Sequence, residues 1–126
     1  MTSPDGANIE FLLVTDDPRL REEFRFALPT GAAARYAADA RVAWKELQAG
    51  VPTLVVVDIQ SGSAGGFGLA RDMNARSDLA EIPVVMLLER VQDAWLAKQA
   101  GAVSWILKPI AATALARQCL ELLARL

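Results

Sequence analysis

Apolar and polar positions along the chain alternate between two regimes. Short, nearly unbroken apolar runs are each followed by a longer stretch in which apolar residues recur every three or four positions. The runs at 9–15, 53–58, 82–88 and 102–107 predict strands, and the alanine-rich segment 34–38 predicts a weaker one. The intervening stretches 18–28, 39–50, 67–76, 91–100 and 110–126 predict helices. Punctuation agrees with these limits. Pro18 suits a first helical turn after Asp17, Asp39 suits a cap, and Gly101 suits a left-handed helix end. A glycine-rich loop, Ser61-Gly-Ser-Ala-Gly-Gly66, leads into the third helix.

Five strand–helix units, with strands apolar on both sides, predict an α/β fold: a parallel sheet covered by helices on both faces. Right-handed crossovers then bring every strand-to-helix loop to one edge, the carboxyl edge, where such sheets bind ligands. Four charged residues fall there. Asp16 and Asp17 follow the first run, Asp58 ends the third, and Lys108 follows the fifth. Three carboxylates so close repel one another, and a hard divalent cation such as Mg²⁺ relieves that repulsion with oxygen ligands. A carboxylate beside such a cation and a lysine suits phosphoryl transfer onto the carboxylate.

Composition narrows the choices. With 126 residues and 53% hydrophobic content, the chain suits one domain with a substantial core. Thirteen basic and fifteen acidic residues are interleaved for a net charge of −2, so no basic stripe invites nucleic acid. No apolar run approaches the roughly 18 residues of a spanning helix, and the N-terminus has no signal-peptide character, so a cytoplasmic location without membrane insertion is expected. The chain has no histidine, which excludes imidazole ligands and any phosphohistidine of its own. Cys119, the lone cysteine, lies in an apolar helical stripe and reads as an inert core thiol.

The motifs resemble the receiver domains of bacterial two-component response regulators over essentially the whole chain. The residues that carry the resemblance are Leu12-Leu-Val-Thr-Asp-Asp17, Val55-Val-Val-Asp58, Ile82-Pro-Val-Val-Met-Leu87 and Gly101-Ala-Val-Ser-Trp-Ile-Leu-Lys-Pro109. The resemblance implies a flavodoxin-like doubly wound sheet of strand order 2-1-3-4-5 with five helices. It implies that Asp58 is the phosphoacceptor, that Lys108 contacts the phosphoryl group, and that the peptide bond before Pro109 is cis. Mg²⁺ would be held by Asp16, Asp17, Asp58 and the backbone carbonyl of Gln60. Residues 1–126 would form a single stand-alone receiver, with a core from about residue 8, a flexible segment 1–7 and no output domain. A histidine kinase or phosphotransfer protein would be the donor, and a downstream protein the target, with the chain also suited to a phosphorelay.

Two departures from the family pattern stand out. Leu88 occupies the place of the threonine or serine whose hydroxyl bonds the phosphoryl group, and Glu89 follows where a small residue is usual. A hydrogen bond to a charged group contributes about 1.5–3 kcal/mol, the scale of a typical allosteric coupling. The loop after Asp58 has Ser61-Gly62 and Gly65-Gly66 where Met-Pro and an acid-glycine pair are usual. Trp105 stands in place of the family's switch aromatic. Beside Trp95 it would form an apolar partner face, which also suits a homodimer. Trp44 is expected in the core, and Arg90 as either a solvated side chain or a cation near the phosphoryl group.

The expected function is phosphoacceptance on Asp58 with signalling through protein contact, without enzymatic turnover beyond self-catalysed phosphorylation and dephosphorylation. Leu88 keeps a phosphorylation-independent pseudo-receiver adaptor in view as the alternative. A phosphatase of similar topology would need a second acid where Gln60 stands. A flavin protein would need a hydroxyl- and glycine-rich loop where Asp16-Asp17-Pro18 stands.

Overall fold

The computed structural model describes residues 8–60 and 65–126. The segment 1–7 and loop residues 61–64, on which expectations were placed, lie outside the described residues. Five strands, β1 (Ile9–Val14), β2 (Ala32–Ala37), β3 (Leu54–Asp58), β4 (Val84–Leu88) and β5 (Ser104–Leu107), form one parallel sheet in the order 2-1-3-4-5. The helices are α1 (Pro18–Ala27), α2 (Ala40–Ala49), α3 (Gly65–Asn74), α4 (Ala94–Gln99) and α5 (Ala112–Arg125). This is the flavodoxin-like, doubly wound arrangement.

Strand alternation divides the core into two layers. Leu12, Val14, Val55, Val57, Met86 and Leu88 face α2, α3 and α4, where they meet Leu47, Phe67, Met73 and Ala97. Phe11, Leu13, Val56, Val85 and Leu87 face α1 and α5, where they meet Phe24, Leu115 and Cys119. β1, β3 and β4 are therefore apolar at successive positions because both of their faces are covered.

Caps fix the helix starts that frame the carboxyl edge. Asp17 accepts from the Arg19 amide at 2.9 Å with Pro18 in the first turn, and Asp39 accepts from the Val42 amide at 2.9 Å. Gly66 lets α3 start close to β3. A Cβ there would lie 2.4 Å from Ile59 Cδ1 and 2.7 Å from Val57 Cγ1. Gly101, at φ +96°, turns the chain out of α4 in the left-handed region.

Four expectations change. β2 begins at Ala32 rather than 34, because the turn through Gly31 (φ +93°) brings all six of its residues into register with β1. The helix expected over 91–100 starts as a 3-10 turn, Val91–Asp93, before α4. Asp93 does not cap it, since its carboxylate is bonded to Arg90 at 3.0 Å. β5 is not buried on both faces: Trp105 and Leu107 are each 40% exposed, because on their face this edge strand is overlaid only by the short α4, while Ile106 packs on the α5 side. Trp44 is half-buried rather than in the core. Ala43 and Leu47 form the buried stripe of α2, and Trp44 lies at its margin under the Arg76 guanidinium, 5.5 Å from the ring centroid.

Candidate functional site

Asp58, the last residue of β3, pairs opposite Leu87 and so directs its carboxylate to the α1–α5 side of the sheet. Its side chain is only 5% exposed. Two donors satisfy it. The Thr15 hydroxyl donates to Oδ2 at 2.7 Å, and Lys108 Nζ donates to Oδ1 at 2.5 Å. Lys108 is positioned by its own backbone, whose amide donates to the Leu88 carbonyl at 2.8 Å, and the bond to Pro109 is cis as expected. Glu89 Oε2 lies 3.8 Å from the same ammonium. Lys108 is 23% exposed, so this is a part-buried pair in which each charge compensates the other.

The other acids divide their roles. Asp16 Oδ1 accepts from the side-chain amide of Gln60. Asp17 caps α1, and its backbone amide donates to Thr15 Oγ1 at 3.1 Å. Asp16, Gln60 and Asp58 line one crevice of about 370 Å³, together with Thr15 and Arg41. Asp17, Glu89, Lys108 and Asp58 line another of about 610 Å³. Asp58 thus borders two crevices, with Asp16 and Gln60 lining one and Asp17, Glu89 and Lys108 lining the other. Among the described residues, no three carboxylates already converge as a metal-ready group.

Leu88 is fully buried, and its side chain belongs to the layer under α3 and α4 with Ala97 and Ala100. The position therefore lacks a hydroxyl and is filled with hydrocarbon. Trp105 pairs opposite Met86 on that same face and stays partly outside. Trp95 is 65% exposed on α4. Arg90 is bonded to Asp93, which holds its guanidinium more firmly protonated through that hydrogen bond and its charge. Cys119 is buried as expected, and burial pushes its thiol up to about 12.

Sequence reasoning missed Thr15. It is 2% exposed and bridges Asp58 to the start of α1. The signal was present in strand parity: Phe11 and Leu13 face α1 and α5, and continuing the alternation puts Thr15 on the Asp58 side.

Comparison with known proteins agrees with this geometry. The family model for the response regulator receiver domain matches residues 11–119. A gliding motility regulatory protein of Myxococcus xanthus is 29% identical over 109 residues, 84% of this chain and 14% of that protein, so the chain spans only a small part of this relative. The signal receiver domain of a signal transduction histidine kinase from Syntrophus aciditrophicus is 29% identical, with a TM-score of 0.80 over 93% of this chain and 91% of that one. The Mn(2+)-bound form of response regulator Rcp1, at 20% identity, has the same fold with a TM-score of 0.72 over 87% of this chain and 88% of that one. With its five-stranded order, its strand-end acids and a family match over most of its length, the chain belongs to the response regulator receiver domains of two-component signalling.

Proposed function

We propose that this receiver accepts a phosphoryl group on Asp58 from a phosphohistidine of a partner kinase or phosphotransfer protein, and that it signals by protein contact. The observation that carries this reading is the carboxylate itself, nearly shut off from water yet bordered by two crevices and held by Lys108 and Thr15. An Asp58 oxygen attacks phosphorus as the phosphorus–nitrogen bond breaks, and the leaving imidazole takes a proton. Lys108 is poised to follow the charge from the carboxylate to the phosphoryl oxygens. On this reading the chain is a phosphoacceptor rather than an enzyme with a small-molecule substrate.

Mg²⁺ fits the donor chemistry. Asp16, Asp58 and Gln60 supply oxygen ligands in one crevice, while Asp17 caps α1 and lines the other. Rcp1 in its Mn(2+)-bound form, a protein of the same fold, supports a divalent site. A bound divalent ion would neutralise the carboxylates and the incoming phosphoryl charge. Gln60 donates to one oxygen of Asp16 and leaves the other available to the ion. The outlet for the signal is the apolar face of Trp95, Leu96, Val103 and Trp105, which suits a downstream protein or a second copy.

Leu88 supports a second reading, a pseudo-receiver adaptor that works without phosphorylation. This side chain is fully buried in hydrocarbon, so the position offers no hydroxyl to link Asp58 to the α4 face. Tryptophan emission measured against Mg²⁺ and a beryllofluoride phosphate mimic separates the two readings. The phosphoacceptor reading expects a saturable, Mg²⁺-dependent change that is absent in Asp58→Ala. An unchanged spectrum, with no mimic retained by the protein, favours the adaptor.

A further inference from the structure

We propose that the groove between α2 and α3 is a second docking surface, one that takes an acidic segment of a partner protein with an apolar side chain at its centre. The groove has a volume of about 440 Å³, and Trp44, Gly68 and Leu69 form its apolar part. Gly68 lies inside α3, where glycine costs about 0.5–1 kcal/mol relative to alanine. The core does not require it, because a Cβ at Gly68 would meet nothing within 4 Å. Gly66, two residues earlier, is the opposite case, forced by contact with Ile59 and Val57. What the missing side chain at Gly68 does leave is an open depression beside Trp44.

The rim of this depression is positively charged. Arg41 and Lys45 stand four residues apart on α2, hence on one face, with Arg41 in the first turn, where the backbone dipole is already positive. Arg19, Arg25, Arg35, Arg76, Arg90 and Lys108 each have a carboxylate within 4.0 Å. Arg41 and Lys45, like Arg21, Arg71, Lys98, Arg117 and Arg125, have no such partner among the described residues, but Arg41 and Lys45 both border this groove, and Asp72 beside them pairs with neither. Two cations against one carboxylate leave the groove with an excess positive charge over an apolar floor. An acidic segment would neutralise Arg41 and Lys45, and its central Leu or Phe would fill the space above Gly68. Arg41 also borders the Asp58 crevice, so the two surfaces meet at this residue. The proposal does not depend on phosphorylation of Asp58.

Selection of a phage-displayed library of random linear peptides on the full chain tests it. The expected winners carry Asp or Glu on both sides of a Leu, Phe or Trp and bind saturably. Their affinity falls at least about tenfold in the Arg41→Glu, Lys45→Glu double variant, with far-UV circular dichroism unchanged. Gly68→Ala should unfold at a higher denaturant concentration yet bind the same peptides more weakly, which separates an occupied groove from a structural glycine. Failure to enrich acidic sequences would overturn the proposal. So would winners indifferent to both variants, or winners displaced only by changes at Trp95 and Trp105. Selective binding of AMP, in place of peptide, would make this a nucleotide site and likewise overturn it.

Discussion

Asp58 is held from two sides by donors that arrive on different strands, Thr15 after β1 and Lys108 after β5. The acids and the lysine were legible in the sequence because charge at the end of an apolar run stands out. Thr15 was not, because a hydroxyl beside two aspartates attracts no notice until its parity is followed. Leu88 was legible as a missing hydroxyl, but its full burial was not, since that depends on Ala97 and Ala100 coming across from α4. Leu88→Thr should therefore lose about 2–4 kcal/mol in urea unfolding, from lost packing and a buried hydroxyl. It should also show a larger phosphate-linked tryptophan change than the wild type; unchanged stability would contradict the packing account. Cys119 gives a pH prediction. Burial raises its thiol from an ordinary 9.0 to about 12, so the folded state favours the protonated form. That contribution is complete below about 9, the pKa of the unfolded thiol, and is lost as pH rises toward about 12. Denaturant unfolding at neutral pH and at a pH between these values should show this loss, and Cys119→Ala should flatten it.

The elements were readable in proportion to how much local pattern determines them. β1, β3 and β4 are continuous apolar runs because they are buried on both faces, and the sequence shows this directly. β2 is an alanine-rich edge strand whose length is set by pairing with β1, which leaves only a weak local trace. At the start of α4, Asp93 pairs with Arg90 and makes no side-chain capping bond, a side-chain choice that apolar spacing does not record. The sequence showed a glycine-rich loop after Asp58 but not that its last glycine, Gly66, has a definite packing task. Gly66→Ala should cost about 1–3 kcal/mol from overpacking against Ile59 and Val57. A denaturation midpoint equal to wild type would show that α3 can move away from β3 without penalty.

Across the whole molecule, the sheet gathers the acidic residues and Lys108 at its carboxyl edge and leaves apolar side chains uncovered around α4 and β5. Strand order and the placing of Asp58 and Lys108 at one edge followed from counting strand–helix units and recognising the family pattern; their direct ion pair did not. The uncovered face was only partly foreseen, since exposure of Trp105 and Leu107 depends on how short α4 is. On the proposed function, phosphoryl chemistry and its transmission are separable: one would rest on Asp58, Lys108 and the oxygen donors, the other on Leu88 and Trp105. Intact-protein mass after incubation with Mg²⁺ and acetyl phosphate tests the first most directly. The account predicts one added phosphoryl group on the wild type, none without the divalent ion, and none on Asp58→Ala. An unmodified wild type, or equal incorporation by Asp58→Ala, would contradict it.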